Sequence, residues 1–235
     1  MSYTLNETHG MHNGQIEVIC GPMFSGKTEE LIKRLRRAQI ARQKVIVFKP
    51  CIDKRYDETK IVSHSAQRLH SIPIDCITQI PERLARYPTA GVVGIDEAQF
   101  FDDRVVEIAE DLANKGIRVV VAGLDQDYLG NPFGPIPKLL AVAESITKQL
   151  AVCMVCGAPA GRSQRVHARQ LNLRLGKQET SLEQPSEEQV LVGAAEVYEA
   201  RCRRCFVKGI DTPSQPLPPE ETFAEFVQPS TEPTQ

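Results

Sequence analysis

No apolar run in this 235-residue chain approaches the roughly 18 residues that a membrane-spanning helix needs; the longest lies around Val119 to Leu124. No transmembrane helix is therefore expected. The first ten residues, MSYTLNETHG, lack the basic and apolar segments of a secretory signal. A cytoplasmic chain is expected, with the Asn6-Glu7-Thr8 sequon unused. No charge of one sign dominates: 28 Lys and Arg against 30 Asp and Glu give a formal net charge of −2, so nothing global points to nucleic acid or an anionic membrane as partner. The cysteines do not suggest a disulfide framework either. Seven is an odd count, and four of them fall in two CxxC pairs, which favours metal binding in a reducing compartment. Internal repeats are missing too, while 41% hydrophobic and 25% charged residues exclude wholesale disorder.

What is present is an alternation of strand and helix patterns. Ile16, Val18, Ile19 and Cys20 form a short apolar run stopped by Gly21 and Pro22, after which Leu31, Leu35 and Ala38 share one helical face. The runs KVIVFK (Lys44 to Lys49), VVGID (Val92 to Asp96) and RVVVAG (Arg118 to Gly123) are β-branched throughout instead of alternating, the mark of strands buried on both faces. Between the last two, Arg104 to Lys115 places Val105, Ile108, Ala109 and Leu112 at helical spacing before Gly116. The expected fold is α/β, a parallel sheet flanked by helices. After about Lys148 the pattern changes to cysteine pairs, glycines and short strand-like pieces such as Gln189 to Val192. The expected division is a flexible arm (1–14), an α/β domain (15–148), a small cysteine-bearing module (149–209) and a disordered tail (210–235). That tail carries five acidic residues, no Lys or Arg and six of the 16 prolines, which leaves the body at 28 − 25 = +3.

The chemistry-bearing motifs begin at Gly21 to Thr28, GPMFSGKT, which fits the GxxxxGKT P-loop and sits between a strand and a helix, as its mechanism requires. Backbone N–H groups and the positive helix end would surround a β-phosphate. Gly26 would admit close backbone approach, Lys27 neutralise β/γ oxygens, and the Thr28 hydroxyl face Mg²⁺. A glycine turn matching by chance is the alternative. Asp96 and Glu97 end a buried strand in GIDEAQFF, where a carboxylate faces a phosphate-bound Mg²⁺ and its neighbour can act as general base; a solvated loop carboxylate is the alternative. ATP and Mg²⁺ are the implied ligands. Cys153 and Cys156 (CMVC) with Cys202 and Cys205 (CRRC) form two knuckles able to complete a tetrahedral sulfur site, the geometry of structural Zn²⁺, with a redox dithiol as the competing reading. Cys20, Cys51 and Cys76 read as small core or loop hydrophobes. Lys33, Arg34, Arg36, Arg37, Arg42 and Lys44 read as the solvated face of an amphipathic helix, and the five histidines show no ligand spacing.

GPMFSGKT, then CIDKRYDE with Asp53 and Arg55, then DEAQFF, GLDQDYLGNPFGPI and the two CxxC pairs, in this order, resemble the type II thymidine kinases, the cytosolic zinc-containing kind, from about Gly14 to Phe206. The resemblance implies a P-loop α/β domain followed by a zinc-ribbon module with a lasso loop, and transfer of the ATP γ-phosphoryl group to the 5′-hydroxyl of thymidine. Deoxyuridine is implied as a further acceptor. It makes Glu97 the base, Arg55 a transition-state charge stabiliser and Lys27 a phosphate ligand. Thr28, Asp53 and Asp96 become the Mg²⁺ set, and Gly21, Pro22, Met23, Phe24, Ser25, Gly26, Ala98 and Gln99 complete the nucleotide-binding residues. Thymine would lie among Met23, Phe100, Leu124, Tyr128 and Phe133, held further by Gln189, Val190, Leu191, Val192 and Gly193 of the lasso and by Tyr198. Ordinary core packing competes for Phe100 and Phe133. Tyr128 stands where many relatives have Phe, and the stretch from His167 to Ser186 is longer than expected. A homotetramer and feedback by thymidine triphosphate are also implied. The competing class is a nucleic-acid-dependent ATPase with a zinc ribbon, which the small positive charge and short ATPase-like segment oppose. A zinc-stabilised binding protein without catalysis leaves Lys27, Arg55, Asp96 and Glu97 unexplained.

Overall fold

Strands that are apolar on both faces need cover on both, and that requirement organises this chain. The computed structural model describes residues 14–52, 60–62, 68–166 and 198–209. Its main sheet contains β1 (Gln15–Cys20), β2 (Lys44–Pro50), β5 (Ile72–Ile74), β6 (Ala90–Ile95), β7 (Arg118–Gly123) and β8 (Ser145–Lys148), while β3 (Lys60–Val62) and β4 (Arg68–His70) pair separately as an antiparallel ribbon. The order is β5-β2-β6-β7-β1-β8 and every pairing is parallel. Helix α1 (Lys27–Ile40) covers one face; α2 (Gln79–Ala85), α3 (Arg104–Asn114) and α4 (Ile136–Val142) cover the other. The pleat divides β7 between them: Val119 and Val121 join the three-helix side, and Val120 and Ala122 pack against Leu31, Ile32, Leu35 and Ala38 of α1. Close docking of α1 needs Gly94, where an added Cβ would lie 2.7 Å from Leu35 Cδ1.

Four elements have no clear signature in the sequence. α2 and α4 span seven residues each, α4 carries Pro137, and β5 is a three-residue strand. The edge strand β8, SITK, is exposed at Ser145, Ile146 and Lys148, so burial imposes no apolar pattern on it. One expectation is corrected. Arg34 does not belong to a solvated helix face: it pairs with Glu17 of β1 at 2.9 Å and donates to the Thr147 hydroxyl at 2.7 Å, because α1 lies across β1 and β8 at that turn. Arg42 and Lys44 lie beyond the end of α1, whereas Lys33, Arg36 and Arg37 are exposed on it.

After β8 the chain forms two small antiparallel pairs, β9 (Ala151–Val152) with β10 (Pro159–Ala160) and β11 (Arg162–Arg165) with β12 (Tyr198–Arg201). They enclose Ala151, Cys153, Ala160, Ala200 and Cys202, against which Phe24 of the P-loop packs. Among the described residues no helix is long and apolar enough to cross a membrane.

Candidate active site

Parallel strands place all their carboxyl ends on one edge, and the loops leaving β1, β6, β7 and β8 meet there. The loop after β1 is shaped by conformations most residues avoid: φ is 139° at Gly21, 63° at Phe24 and 81° at Gly26, which caps α1. A Cβ on Gly21 would stand 2.2 Å from the Gln149 carbonyl oxygen, so the loop is pressed onto the chain leaving β8. Ser25 Oγ and Lys27 Nζ donate to the Pro22 carbonyl at 2.8 and 2.7 Å, which folds the loop around its own centre. No side chain among the described residues caps the start of α1, so that end of the helix dipole faces the loop. Beside it an open cleft of 540 Å³ is lined by Ser25, Gly26, Glu29, Lys33, Arg36, Arg37 and Gln149, among others.

Asp96 follows β6 and is 5% exposed. Its Oδ2 accepts from the Thr28 hydroxyl at 3.3 Å, and its Oδ1 from the Glu97 N–H at 3.0 Å. Glu97 is half-buried in a left-handed conformation, φ 50°, costing about 1 kcal/mol or more for a residue with a Cβ. Ala98 to Phe100 then form a 3₁₀ turn. The Gln99 carboxamide donates to Glu97 Oε2 and accepts from the Leu124 N–H. Under this edge, burial and then the Asp125 carboxylate push the Cys20 thiol up despite Lys148 and Lys27, so it remains a protonated core residue.

The aromatic set also converges. Phe100 and Phe133 meet edge to face at 6.0 Å and 89°, and the Arg165 guanidinium covers the Tyr128 ring at 4.3 Å. Arg165 is the cross-strand partner of Tyr198, which is buried. The loop bearing Tyr128 is held by Asp127, whose Oδ1 accepts the N–H groups of Leu129 and Asn131, both at 2.9 Å. Asp53, Arg55 and Gln189 to Gly193 lie outside the described residues. Two contacts that the sequence reading missed join distant segments: Met23 N–H donates to Ser163 Oγ at 3.0 Å, and Lys148 pairs with Asp125 at 2.6 Å. No local pattern signals the first, since 140 residues separate its partners.

The four cysteines of the small module come together, with their sulfurs all within 4.8 Å of one another. Cys156 lies 3.6 Å from Cys202 and 3.6 Å from Cys205, close to the about 3.8 Å that a tetrahedral ion with bonds of about 2.3 Å to sulfur imposes. Burial opposes ionisation of Cys153, but backbone N–H groups of Cys202, Val155 and Cys156 outweigh it and bring the thiol to about 6. Cys205 is pushed up to about 12, first by its contact with Cys202 and then by Cys156. Thiols that share protons at such distances are ones a central cation would ionise, which fits a metal site.

A P-loop serine and lysine folded on Pro22, a hydroxyl–carboxylate pair beneath them, a second carboxylate beside an aromatic set, and a four-cysteine cluster make one constellation. The thymidine kinase family model matches residues 14–206. The chain belongs to the thymidine kinase family. It is 55% identical over 198 residues to a thymidine kinase of Rhodothermus sp. (strain ITI 518), covering 84% of each chain. Membership makes the chain a kinase, and the P-loop edge is where a kinase of this fold holds ATP.

Proposed function

We propose that this thymidine kinase family member transfers the γ-phosphoryl group of ATP to the 5′-hydroxyl of thymidine, giving thymidine monophosphate, with Mg²⁺ as cofactor. The observation that carries the mechanism is the 3.3 Å contact between Thr28 and Asp96, with Glu97 one residue on. It brings two hard oxygen ligands of the kind Mg²⁺ takes to the floor of a P-loop, next to a carboxylate that can receive a proton. Thr28 and Asp96 would hold Mg²⁺, which would supply positive charge to offset that on the phosphoryl groups. In this reading Lys27 and the backbone N–H groups of Phe24 to Thr28 bind the phosphates, with Ala98 and Gln99 in the segment beside them. Glu97 accepts the proton of the 5′-hydroxyl as its oxygen bonds to the γ-phosphorus, the bond to the β-phosphate oxygen breaks, and ADP leaves. Arg55 stabilises the transferring charge and Asp53 completes the Mg²⁺ set.

Thymine lies among Met23, Phe100, Leu124, Tyr128, Phe133 and Tyr198 and against the backbone of 189–193. Deoxyuridine is also accepted, because losing one methyl from an apolar slot changes selectivity only about 10- to 200-fold. Cys153, Cys156, Cys202 and Cys205 hold a structural Zn²⁺ that fixes the small module. The reading further includes a kinase domain over 15–148, a zinc-binding lasso domain over 149–209, a cytoplasmic homotetramer, and feedback by thymidine triphosphate. No nucleic acid or membrane partner enters it.

The test is phosphoryl transfer from labelled ATP with Mg²⁺ to thymidine, deoxyuridine, deoxycytidine and deoxyadenosine, beside a nucleic-acid-only control. Labelled thymidine monophosphate, with little product from deoxycytidine or the purine, is the expected result. ATP hydrolysis stimulated by nucleic acid, without nucleoside product, would overturn the proposal.

A further inference from the structure

Gln99 is 3% exposed, and both ends of its carboxamide are engaged by protein. Nε2 donates to Glu97 Oε2 at 2.5 Å, and Oε1 accepts from the Leu124 N–H at 3.0 Å. These partners fix which atom is which, because a carboxylate cannot donate to oxygen and a backbone N–H cannot accept from nitrogen. The space is made by two glycines on neighbouring segments. A Cβ at Gly123, the end of β7, would stand 2.8 Å from Gln99 Oε1, and one at Gly134 would stand 2.5 Å from the Gln99 carbonyl oxygen. Glu97 meanwhile sits at φ 50°, which its backbone would not choose unaided.

We propose that Gln99 acts as a positioning residue for Glu97 instead of as a nucleotide ligand. It holds one oxygen of the Glu97 carboxylate and ties that orientation through Leu124 to the wall of the nucleoside pocket. The inference rests on the reading of Glu97 as the general base. A carboxylate with one oxygen clamped loses little rotational freedom on reaching its reactive geometry.

Steady-state kinetics of Gln99→Met, Glu97→Gln and the double variant, with ATP and thymidine each varied, test it. Gln99→Met is expected to lower kcat by about tenfold to a hundredfold while the ATP KM moves by less than about twofold. Because Gln99 acts through Glu97, it should add less than about twofold to the loss in Glu97→Gln. If Glu97→Gln is inactive but Gln99→Met keeps kcat, or raises the ATP KM at constant kcat, the inference on Gln99 falls and the base assignment stands. Near-normal turnover in Glu97→Gln would remove the base assignment, and this inference with it. Should Gln99→Met not fold, Gly123→Ala combined with Ile136→Val crowds Gln99 Oε1 without altering either partner, the second change removing the methyl that the new Cβ would strike. Its kcat is expected to fall in the same way, and an unchanged kcat would overturn the proposal.

Discussion

The Met23 N–H donates to the Ser163 hydroxyl at 3.0 Å, joining the P-loop to β11 across 140 residues. Phe24, the next residue, packs on the core of the same small module. The loop that would hold phosphate is therefore braced by the module that carries the cysteine cluster. Ser163→Ala leaves a part-buried N–H without its acceptor, a loss of about 1–3 kcal/mol. The variant is expected to lower the urea midpoint and to raise the thymidine KM several-fold, with Ser163→Thr restoring both by keeping the hydroxyl. An unchanged KM in Ser163→Ala would show that the brace does not reach the nucleoside side.

Metal removal should act through the same brace. The sulfurs of Cys153, Cys156, Cys202 and Cys205 lie within 4.8 Å of one another. About one Zn²⁺ per chain is expected in elemental analysis of the purified protein. Chelation should release the packing of β9 to β12 and abolish thymidine binding. Circular dichroism of the α/β sheet should change little, since its two cores are built without the cysteine module. A protein that carries no metal as isolated and binds thymidine would remove the zinc assignment.

What the sequence makes legible is what local pattern encodes. The P-loop, the strands β1, β2, β6 and β7 and the buried face of α1 are readable because the loop has a fixed spacing, burial on both faces makes the strands continuous apolar runs, and burial of one helix face repeats every three to four residues. Phe100 and Phe133 are readable only as apolar residues, and their 89° contact depends on the loop that Asp127 shapes. Arg34 reads as a surface cation because it stands among surface cations; its partner Glu17 is 17 residues away on a strand. The Gln99 clamp and the Met23–Ser163 bond are likewise invisible, for each depends on two chain segments that meet only when the sheet order is known.

Gly21 offers a sharper test of the loop geometry. At φ 139°, with the Gln149 carbonyl oxygen 2.2 Å from any added Cβ, alanine is excluded by both conformation and space, and the obstacle is backbone that cannot step aside. Gly21→Ala is expected to displace the loop from β8 and weaken ATP binding at least about tenfold, read by titration with a non-hydrolysable ATP analogue. Gly157→Ala is the control: it also has positive φ, 70°, but nothing lies within 4 Å of its Cβ. It should lose about 1 kcal/mol of stability and leave ATP affinity alone. Equal effects of the two on ATP affinity would mean that the close approach at Gly21 is not what shapes the site.

The Glu17 network makes a prediction about pH. Burial alone would push the Glu17 carboxyl up, but hydrogen bonds and charge from Arg118 and then Arg34 outweigh it and hold it below the ordinary value of 4.5. Arg118 Nε lies 2.6 Å from one carboxylate oxygen and Arg34 2.9 Å from the other, with Glu17 5% exposed. A carboxylate whose folded value is depressed contributes stability that is fully present above the unfolded value and is lost as pH falls through the folded one. Arg34→Met is expected to cost about 2 kcal/mol at pH 7, short of the about 3–5 kcal/mol for a fully orphaned buried charge because Arg118 remains. That difference should persist down to about pH 5 and shrink as the pH drops below 4.5, where Glu17 takes up its proton in the unfolded chain first and then in the folded protein. Urea unfolding of wild type and variant from pH 7 to pH 3 checks the sign. A gap that stays constant on acidification would mean that Arg34 stabilises the fold by packing its stem against β1 and β8, with the ion pair contributing nothing.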